Sequence, residues 1–141
     1  MSTLKVTNVA HETSTLNTLV FDNGGGSGNG RVTTKGTIGE ITAISYASTI
    51  TLDFRTGNNF STTLTGACNF ANPSNISAGQ SGVLFITQDG TGGRLGTFGS
   101  YWDFSEGTAP TLSTGANQVD VVAWIARTNT NIAAQFIGNF S

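Results

Sequence analysis

Hydrophobic and polar residues alternate with a period of two between residues 41 and 64, a pattern typical of strands with one buried face. Residues 41–46 alternate, and the positions expected to share a core side further on are Ile50, Leu52, Phe54, Phe60, Thr62 and Leu64. A turn at residues 56–59 separates two of these groups. We therefore expect residues 50–54 and 60–64 to pair as antiparallel neighbours.

The most apolar stretch in the middle of the chain is residues 83–87, which are rich in strand-forming side chains. It runs directly into the glycine-rich sequence of residues 88–93, whose glycines can supply the positive φ angles of a tight turn. Aromatic residues then recur up to residue 104. These features predict a hairpin at the centre of an all-β core.

A long polar segment and a second pair of strands complete the predicted fold. Residues 105–118 contain a proline and few apolar groups, which predicts a loop, and loops of this length are usually functional or packed on a partner. Residues 119–127 and 132–140 are apolar runs joined by a polar turn. About eight strands result, and we expect residues 37–141 to form a single antiparallel β-sandwich of the jelly-roll kind.

The N-terminal segment differs from the rest of the chain in composition. Residues 1–36 contain few apolar side chains, and five of the seven residues from 24 to 30 are glycine. The segment is therefore predicted to be an extended arm with a glycine-rich linker, held by a neighbouring subunit. A hairpin loop joining two strands of one sheet is the alternative. The apolar positions expected to contact a partner are Leu4, Val6, Leu19 and Phe21.

Residues 101–104 contain the densest aromatic cluster of the chain, formed by Tyr101, Trp102 and Phe104. Neighbouring side chains of a strand point to opposite faces. One face is therefore expected to be core, and the other to expose rings to a sugar or to another subunit. We favour a subunit interface, because a small β domain has strand edges that must be covered.

Composition excludes several classes of function. Only 10% of the residues are charged and the net charge is −2, so no basic surface for nucleic acid is expected. No apolar run is long enough to span a bilayer, and we expect no membrane partner. Cys68 is the single cysteine. It is interpreted as a small core side chain, with an intersubunit disulfide as the alternative, and folding in a reducing cytoplasm is expected.

The residues that could carry catalysis are few. His11, the single histidine, lies in the predicted arm, so neither a histidine-based triad nor a multi-histidine metal site is expected on the core. Four acidic residues could approach one another as in glycosidases, namely Asp89, Asp103, Glu106 and Asp120. Asp89 is better explained as a turn residue, without the further acidic ligands of a calcium loop. We therefore expect no catalytic, cofactor or metal site.

Three sequence motifs carry a resemblance to a known group of proteins. They are GQSGxxFITQDGTGGR at residues 79–94, GSYWxF at residues 99–104 and GTAPTLST at residues 107–114. Together they resemble a module of virion structural proteins of tailed phages, found in tail fibres and head-associated proteins of marine phages. The resemblance implies a component of the phage particle.

The resemblance leads to two functional hypotheses. The first is a non-enzymatic homotrimer that decorates or cements the capsid surface, with the major capsid protein or another virion protein as partner. The second is a tail-fibre or receptor-binding module that recognises a host surface glycan through residues 105–118 and the neighbouring aromatic residues. A carbohydrate-cleaving enzyme is a third and more remote hypothesis. Of the two virion locations, we expect the capsid surface rather than the tail.

Overall fold

The computed structural model describes residues 38–140, and they form an all-β domain, which confirms the predicted fold class. The predicted N-terminal arm of residues 1–36 lies outside the described residues. A 3₁₀ turn, Ser105–Gly107, follows the seventh strand of the described residues. The nine strands are β1 (Ile41–Ala43), β2 (Thr49–Ile50), β3 (Asn59–Leu64), β4 (Cys68–Phe70), β5 (Ser81–Gln88), β6 (Gly96–Phe98), β7 (Trp102–Phe104), β8 (Val119–Thr128) and β9 (Asn131–Phe140).

The first six strands alternate between two sheets. β1, β3 and β5 are neighbours in a six-stranded sheet, and β2, β4 and β6 form a three-stranded sheet. Every pairing within these two sets is parallel. The chain therefore winds through three coils, the arrangement of a short β-solenoid. Ile41 pairs with Asn59 and Asn59 with Val83, so one coil is 18 residues long and the next is 24.

The C-terminal strands extend the larger sheet. β8 and β9 form an antiparallel hairpin, as the sequence predicted. β8 pairs antiparallel with β5, and β7 pairs parallel with β9, which gives the order β1-β3-β5-β8-β9-β7. The hairpin is thus inserted between the third coil and β7. Among the described strands of this sheet, β8 alone runs in the opposite direction to the others.

The strand directions differ from the antiparallel jelly roll that was expected. Residues 50–54 and 60–64 do not pair, because β2 lies beside β4 while β3 lies between β1 and β5. The predicted central hairpin is also wrong: β5 lies between β3 and β8, whereas β6 lies in the other sheet beside β4. The reason is that parallel partners come from the preceding coil, some 20 residues away, and no local sequence signal marks them.

The glycine-rich turn does have the predicted local chemistry. Gly92 and Gly93 adopt φ angles of 71° and 76°. The carboxylate of Asp89 accepts hydrogen bonds from the backbone N–H groups of Thr91 and Gly92, at 3.1 and 2.9 Å. The turn therefore carries the chain around a corner from one sheet to the other and does not reverse it into a hairpin.

The core lies between the two sheets and is dense in aromatic side chains. Phe54 stacks on Trp124 of β8, with ring centroids 4.1 Å apart, and on Phe60 of β3 at 5.9 Å. Gly82 in β5 leaves the space for this stack, because a Cβ atom there would overlap the carbonyl oxygen of Asn58 and lie 2.9 Å from Cζ2 of Trp124. One stack therefore connects the coils to the hairpin.

A buried carboxylate fixes the loop of residues 105–118 to the hairpin. Asp120, on the inward side of β8, is 1% exposed. Its Oδ2 accepts a hydrogen bond from the N–H of Ser113 at 2.8 Å, and its Oδ1 accepts one from the N–H of Asn139 at 3.0 Å. Leu112, next to Ser113, is buried in the core. The C-terminal half of the loop is thus anchored by one apolar side chain and one buried acid.

The stack around Gly82 yields a test of the coil arrangement. Gly82→Ala should lower the free energy of unfolding by about 3 kcal/mol, because the added methyl group has no space beside Asn58 and Trp124. Gly90→Ala is the matched control, since no atom lies within 4 Å of its added Cβ and its φ is not positive. Urea denaturation measures both. Equal effects of the two substitutions would contradict the packing described.

Asp120 yields a second test. Asp120→Asn should destabilise the protein by about 1–3 kcal/mol, because the amide NH₂ group of asparagine would face one of the two backbone N–H donors. Asp103→Asn is the control, since Asp103 makes an exposed ion pair and its replacement should change stability by less than about 1 kcal/mol. Thermal unfolding of the three proteins compares them, and an undiminished stability of Asp120→Asn would refute the anchoring role.

Candidate functional site

The residues predicted to form an interface lie in two parts of the chain. Leu4, Val6, Leu19 and Phe21 lie outside the described residues. Trp102 and Phe104 are 6% and 7% exposed and point into the core, and the exposed residue between them is Asp103. The expectation of exposed rings is therefore wrong for these two residues, since side chains two apart on a strand share a face.

Tyr101 lies at the corner that precedes β7 and is half-buried against the core. Its backbone N–H donates to the side-chain oxygen of Asn72 at 2.9 Å, and Nε1 of Trp102 donates to the carbonyl of Ala71 at 3.2 Å. This part of the aromatic cluster thus closes the corner after the third coil. A contact of Tyr101 with a partner stays a prediction.

A cleft opens where β7 ends. The last pairing between β7 and β9 is Phe104 with Ala134, so β9 has no described strand on that side from Gln135 onwards. The beginning of the 105–118 loop runs past this free edge and, with β9, lines a partly open cavity of about 240 Å³. The side chains around it that can meet a ligand are Ser105, Thr108, Pro110, Gln135 and Phe136.

The backbone of the loop is shaped by a tight turn. Glu106 and Gly107 both adopt left-handed φ angles, of 60° and 67°. The N–H of Thr108 points back to the carbonyl of Ser105 at 3.5 Å. Asp120 holds the far end of the loop through the N–H of Ser113, so the loop that lines the cleft is anchored beyond it as well.

The cleft offers neutral polar groups around an apolar floor. Two hydroxyl groups and the Gln135 amide can both donate and accept hydrogen bonds, whereas Pro110 and Phe136 supply apolar surface. Arg127 and Asp103 form an exposed ion pair of 3.2 Å nearby on the same sheet, so they neutralise each other. The arrangement fits an uncharged ligand that carries several hydroxyl groups.

A second feature is the face of the six-stranded sheet that points away from the core, which we call the outer face. Most outward side chains of β5, β8 and β9 are apolar, with exceptions that include Ser81, Thr87 and Gln135. The apolar residues are Val83, Phe85, Val119, Val121, Ala123, Ile125, Ala133, Ile137 and Phe140. Over the small side chains Ala123 and Ala133 lies an open depression of about 580 Å³.

Three of the four acidic residues considered for catalysis have separate partners. Asp89 pairs with Arg94 at 2.8 Å, and the side-chain hydrogen bond lowers the pKa of Asp89 and raises that of Arg94. Asp103 pairs with Arg127. Asp120 is buried, and its carboxylate accepts hydrogen bonds from two backbone N–H groups. The structure therefore gives Asp89, Asp103 and Asp120 separate partners and not a shared site.

One other ion pair stabilises a corner of the coil. Arg55 donates to Asp53 at 3.0 Å, and this hydrogen bond, with those from the Arg55 backbone and Asn75, lowers the pKa of Asp53 to about 2. Residues 53 and 74 also form a parallel bridge between the first two coils. The Asp53–Arg55 pair is thus a structural contact of the coil, and the lowered pKa of Asp53 does not suit a general acid.

Two further sequence interpretations can be compared with the structure. Cys68 is 4% exposed, and burial raises the pKa of its thiol, which supports the interpretation as a core side chain. Within residues 38–140, no group of histidine, cysteine and acidic side chains is placed to hold a metal ion. In the same part of the chain, no helix has the length and hydrophobicity to cross a membrane.

Sequence reasoning identified the 105–118 loop as a candidate but missed Gln135 and the outer face. Gln135 lies in a predicted strand, and only the early end of β7 makes its edge accessible. The outer face did have a signal, since residues 83–87 and 119–126 are apolar without strict alternation. Such runs are typical of strands that are covered on both faces.

Comparison with known proteins gives a family for the chain. Residues 33–130 match the family described as "Putative phage tail fibre C-terminal domain". The matched range includes the three coils, β7, the 105–118 loop and β8. No curated protein and no solved structure shows significant similarity to the chain. The family match covers more than two thirds of the chain, and it supports the tail-fibre hypothesis better than the capsid-decoration hypothesis. The chain belongs to this tail fibre C-terminal domain family and is a structural component of the phage virion.

Proposed function

We propose that this protein is a non-enzymatic tail-fibre domain that binds a host surface glycan in the cleft between the 105–118 loop and β9. The observation that carries the proposal is the family match, which includes the whole loop. A tail fibre must contact the host surface, and glycans are the most exposed ligands there. The cleft is the described site whose chemistry fits such a ligand.

The chemistry of the cleft supports a sugar in particular. Sugar hydroxyl groups both donate and accept hydrogen bonds, as do the hydroxyls of Ser105 and Thr108 and the amide of Gln135. The apolar C–H face of a sugar ring matches Pro110 and Phe136. A cavity of about 240 Å³ has room for one or two sugar units of a longer chain.

The binding experiment uses purified polysaccharide from a strain that the phage infects, immobilised on a sensor surface. Thr108→Ala combined with Gln135→Ala should weaken binding roughly 10- to 50-fold, because each substitution removes hydrogen bonds of about 1 kcal/mol. Thr51→Ala combined with Thr97→Ala is the control, since both residues are exposed near the smaller sheet. Equal binding of the polysaccharide by the two double variants would contradict the assignment of the cleft as the glycan site.

Capsid decoration by a trimer is the competing proposal from the sequence. It is supported by the broad apolar outer face, which suits packing on another protein. The number of copies per particle separates the two: a tail fibre is present in a handful of copies, whereas a decoration protein covers the head in hundreds. Quantitative mass spectrometry of purified particles measures this number.

A further inference from the structure

A second cleft, lined by residues 43–46, 61–63 and Thr87, lies towards the opposite edge of the six-stranded sheet from the proposed glycan site. β1 has three residues, whereas its neighbour β3 has six. Beyond β1, the N–H of Ile44 still donates to the carbonyl of Ser61, at 2.7 Å. The chain then crosses to the smaller sheet, so the end of β3 has no described strand on that side. The first cleft arises in the same way, because β7 stops short along β9.

Hydroxyl side chains line much of this second cleft, which has a volume of about 360 Å³. Thr63 and Thr87 are parallel partners, and Ser61 precedes Thr63 by two residues, so the three side chains point to the same side of the sheet. Their Cα atoms are about 5 Å apart across the strands and about 7 Å apart along β3. Ser45, in the crossing segment, is also exposed beside the cleft. This spacing lets one ring of a ligand meet several hydroxyl groups at once.

Tyr46 supplies an aromatic wall of the second cleft, in an orientation that the fold determines. Its hydroxyl group donates to the carbonyl of Ala67 at 3.0 Å. Gly66 leaves the space for the ring, because a Cβ atom there would overlap the hydroxyl group of Tyr46 and lie 3.2 Å from its Cζ. Tyr46 is nevertheless 36% exposed. A tyrosine ring that is both fixed and accessible can pack against the apolar C–H face of a sugar without a large loss of side-chain entropy.

The residues that line the second cleft include no charged side chain. A phosphate group would therefore find no arginine or lysine there, and a metal ion would find no carboxylate. Serine and threonine hydroxyl groups both donate and accept hydrogen bonds. The buried hydroxyl group of Thr62, which also lines this cleft, has no hydrogen-bond partner among the described residues. The chemistry thus fits a neutral ligand that carries several hydroxyl groups, as a sugar does.

We propose that the second cleft is a further carbohydrate-binding site, which holds a sugar unit between the ring of Tyr46 and the hydroxyl groups of β3 and β5. It shares no residue with the cleft between the 105–118 loop and β9. The inference rests on the proposed function only for the source of the sugar. Two sites on one domain raise the apparent affinity for a long polysaccharide, because the second contact forms within the complex. Loss of either cleft therefore lowers that affinity.

Nuclear magnetic resonance of the full chain tests the proposal, with short oligosaccharides prepared from the surface polysaccharide of a strain that the phage infects. Amide signals of residues 44–46, 61–63 and 87 should shift during the titration. Shifts confined to residues 105–110 and 135–136 would overturn this inference and leave the proposed glycan site intact. Shifts confined to the first set would support the inference and contradict the proposed glycan site. Signals that stay unchanged in both sets at millimolar oligosaccharide would overturn both.

Substitutions in the second cleft give a further measurement in the same titration. Thr63→Ala combined with Thr87→Ala should weaken binding at this cleft roughly tenfold or more, because two hydrogen-bonding groups are lost. Thr49→Ala combined with Thr65→Ala is the matched control, since both residues are exposed and neither lines the cleft. Tyr46→Ala, which removes the aromatic wall, should also weaken binding, and circular dichroism establishes that all variants are folded. Equal affinities of the two double variants would overturn the proposal, as would undiminished binding by Tyr46→Ala.

Discussion

The stacking of Phe54 between Phe60 and Trp124 is the contact on which the rest of the structure depends. Phe54 ends the first coil, Phe60 belongs to the second coil and Trp124 to the C-terminal hairpin. Gly82 of the third coil runs past this stack without a side chain. Three coils and the hairpin therefore meet at one aromatic cluster, and the strand order of the larger sheet follows from where the hairpin joins it.

Insertion of the hairpin between β5 and β7 creates both candidate functional surfaces. It extends the larger sheet beyond the three coils, and its apolar outward side chains produce the outer face. It also leaves the edge of β9 free after Ala134, because β7 pairs with only three residues. The loop anchored by Asp120 then closes over this edge and forms the cleft. The outer face and the cleft thus both result from the insertion of the β8–β9 hairpin between β5 and β7.

The sequence predicted what depends on neighbouring residues. Alternation located β3, the apolar runs located β5, β8 and β9, and the glycines of residues 90–93 indicated positive φ angles that Gly92 and Gly93 adopt. It did not predict that β5 pairs with β3 and not with β6, because a parallel partner one coil away leaves no local pattern. Gln135 was missed because the pairing of β7 with β9, which ends just before Gln135, also joins strands that are distant in the sequence. The outer face was readable in principle, since residues 83–87 do not alternate, but the run was interpreted as a central hairpin strand.

The winding of the chain into parallel coils is the central claim, and a disulfide between neighbouring coils tests it most directly. Thr63 and Thr87 are parallel partners on β3 and β5, and buried Cys68 does not compete for oxidation. Thr63→Cys with Thr87→Cys should form a disulfide rapidly and quantitatively, because adjacent strand positions lie within the range of Cα separations for this bond. Thr51→Cys with Thr87→Cys should not, since Thr51 follows β2 of the other sheet. Oxidation of the first pair no faster than that of the second would contradict the parallel coil.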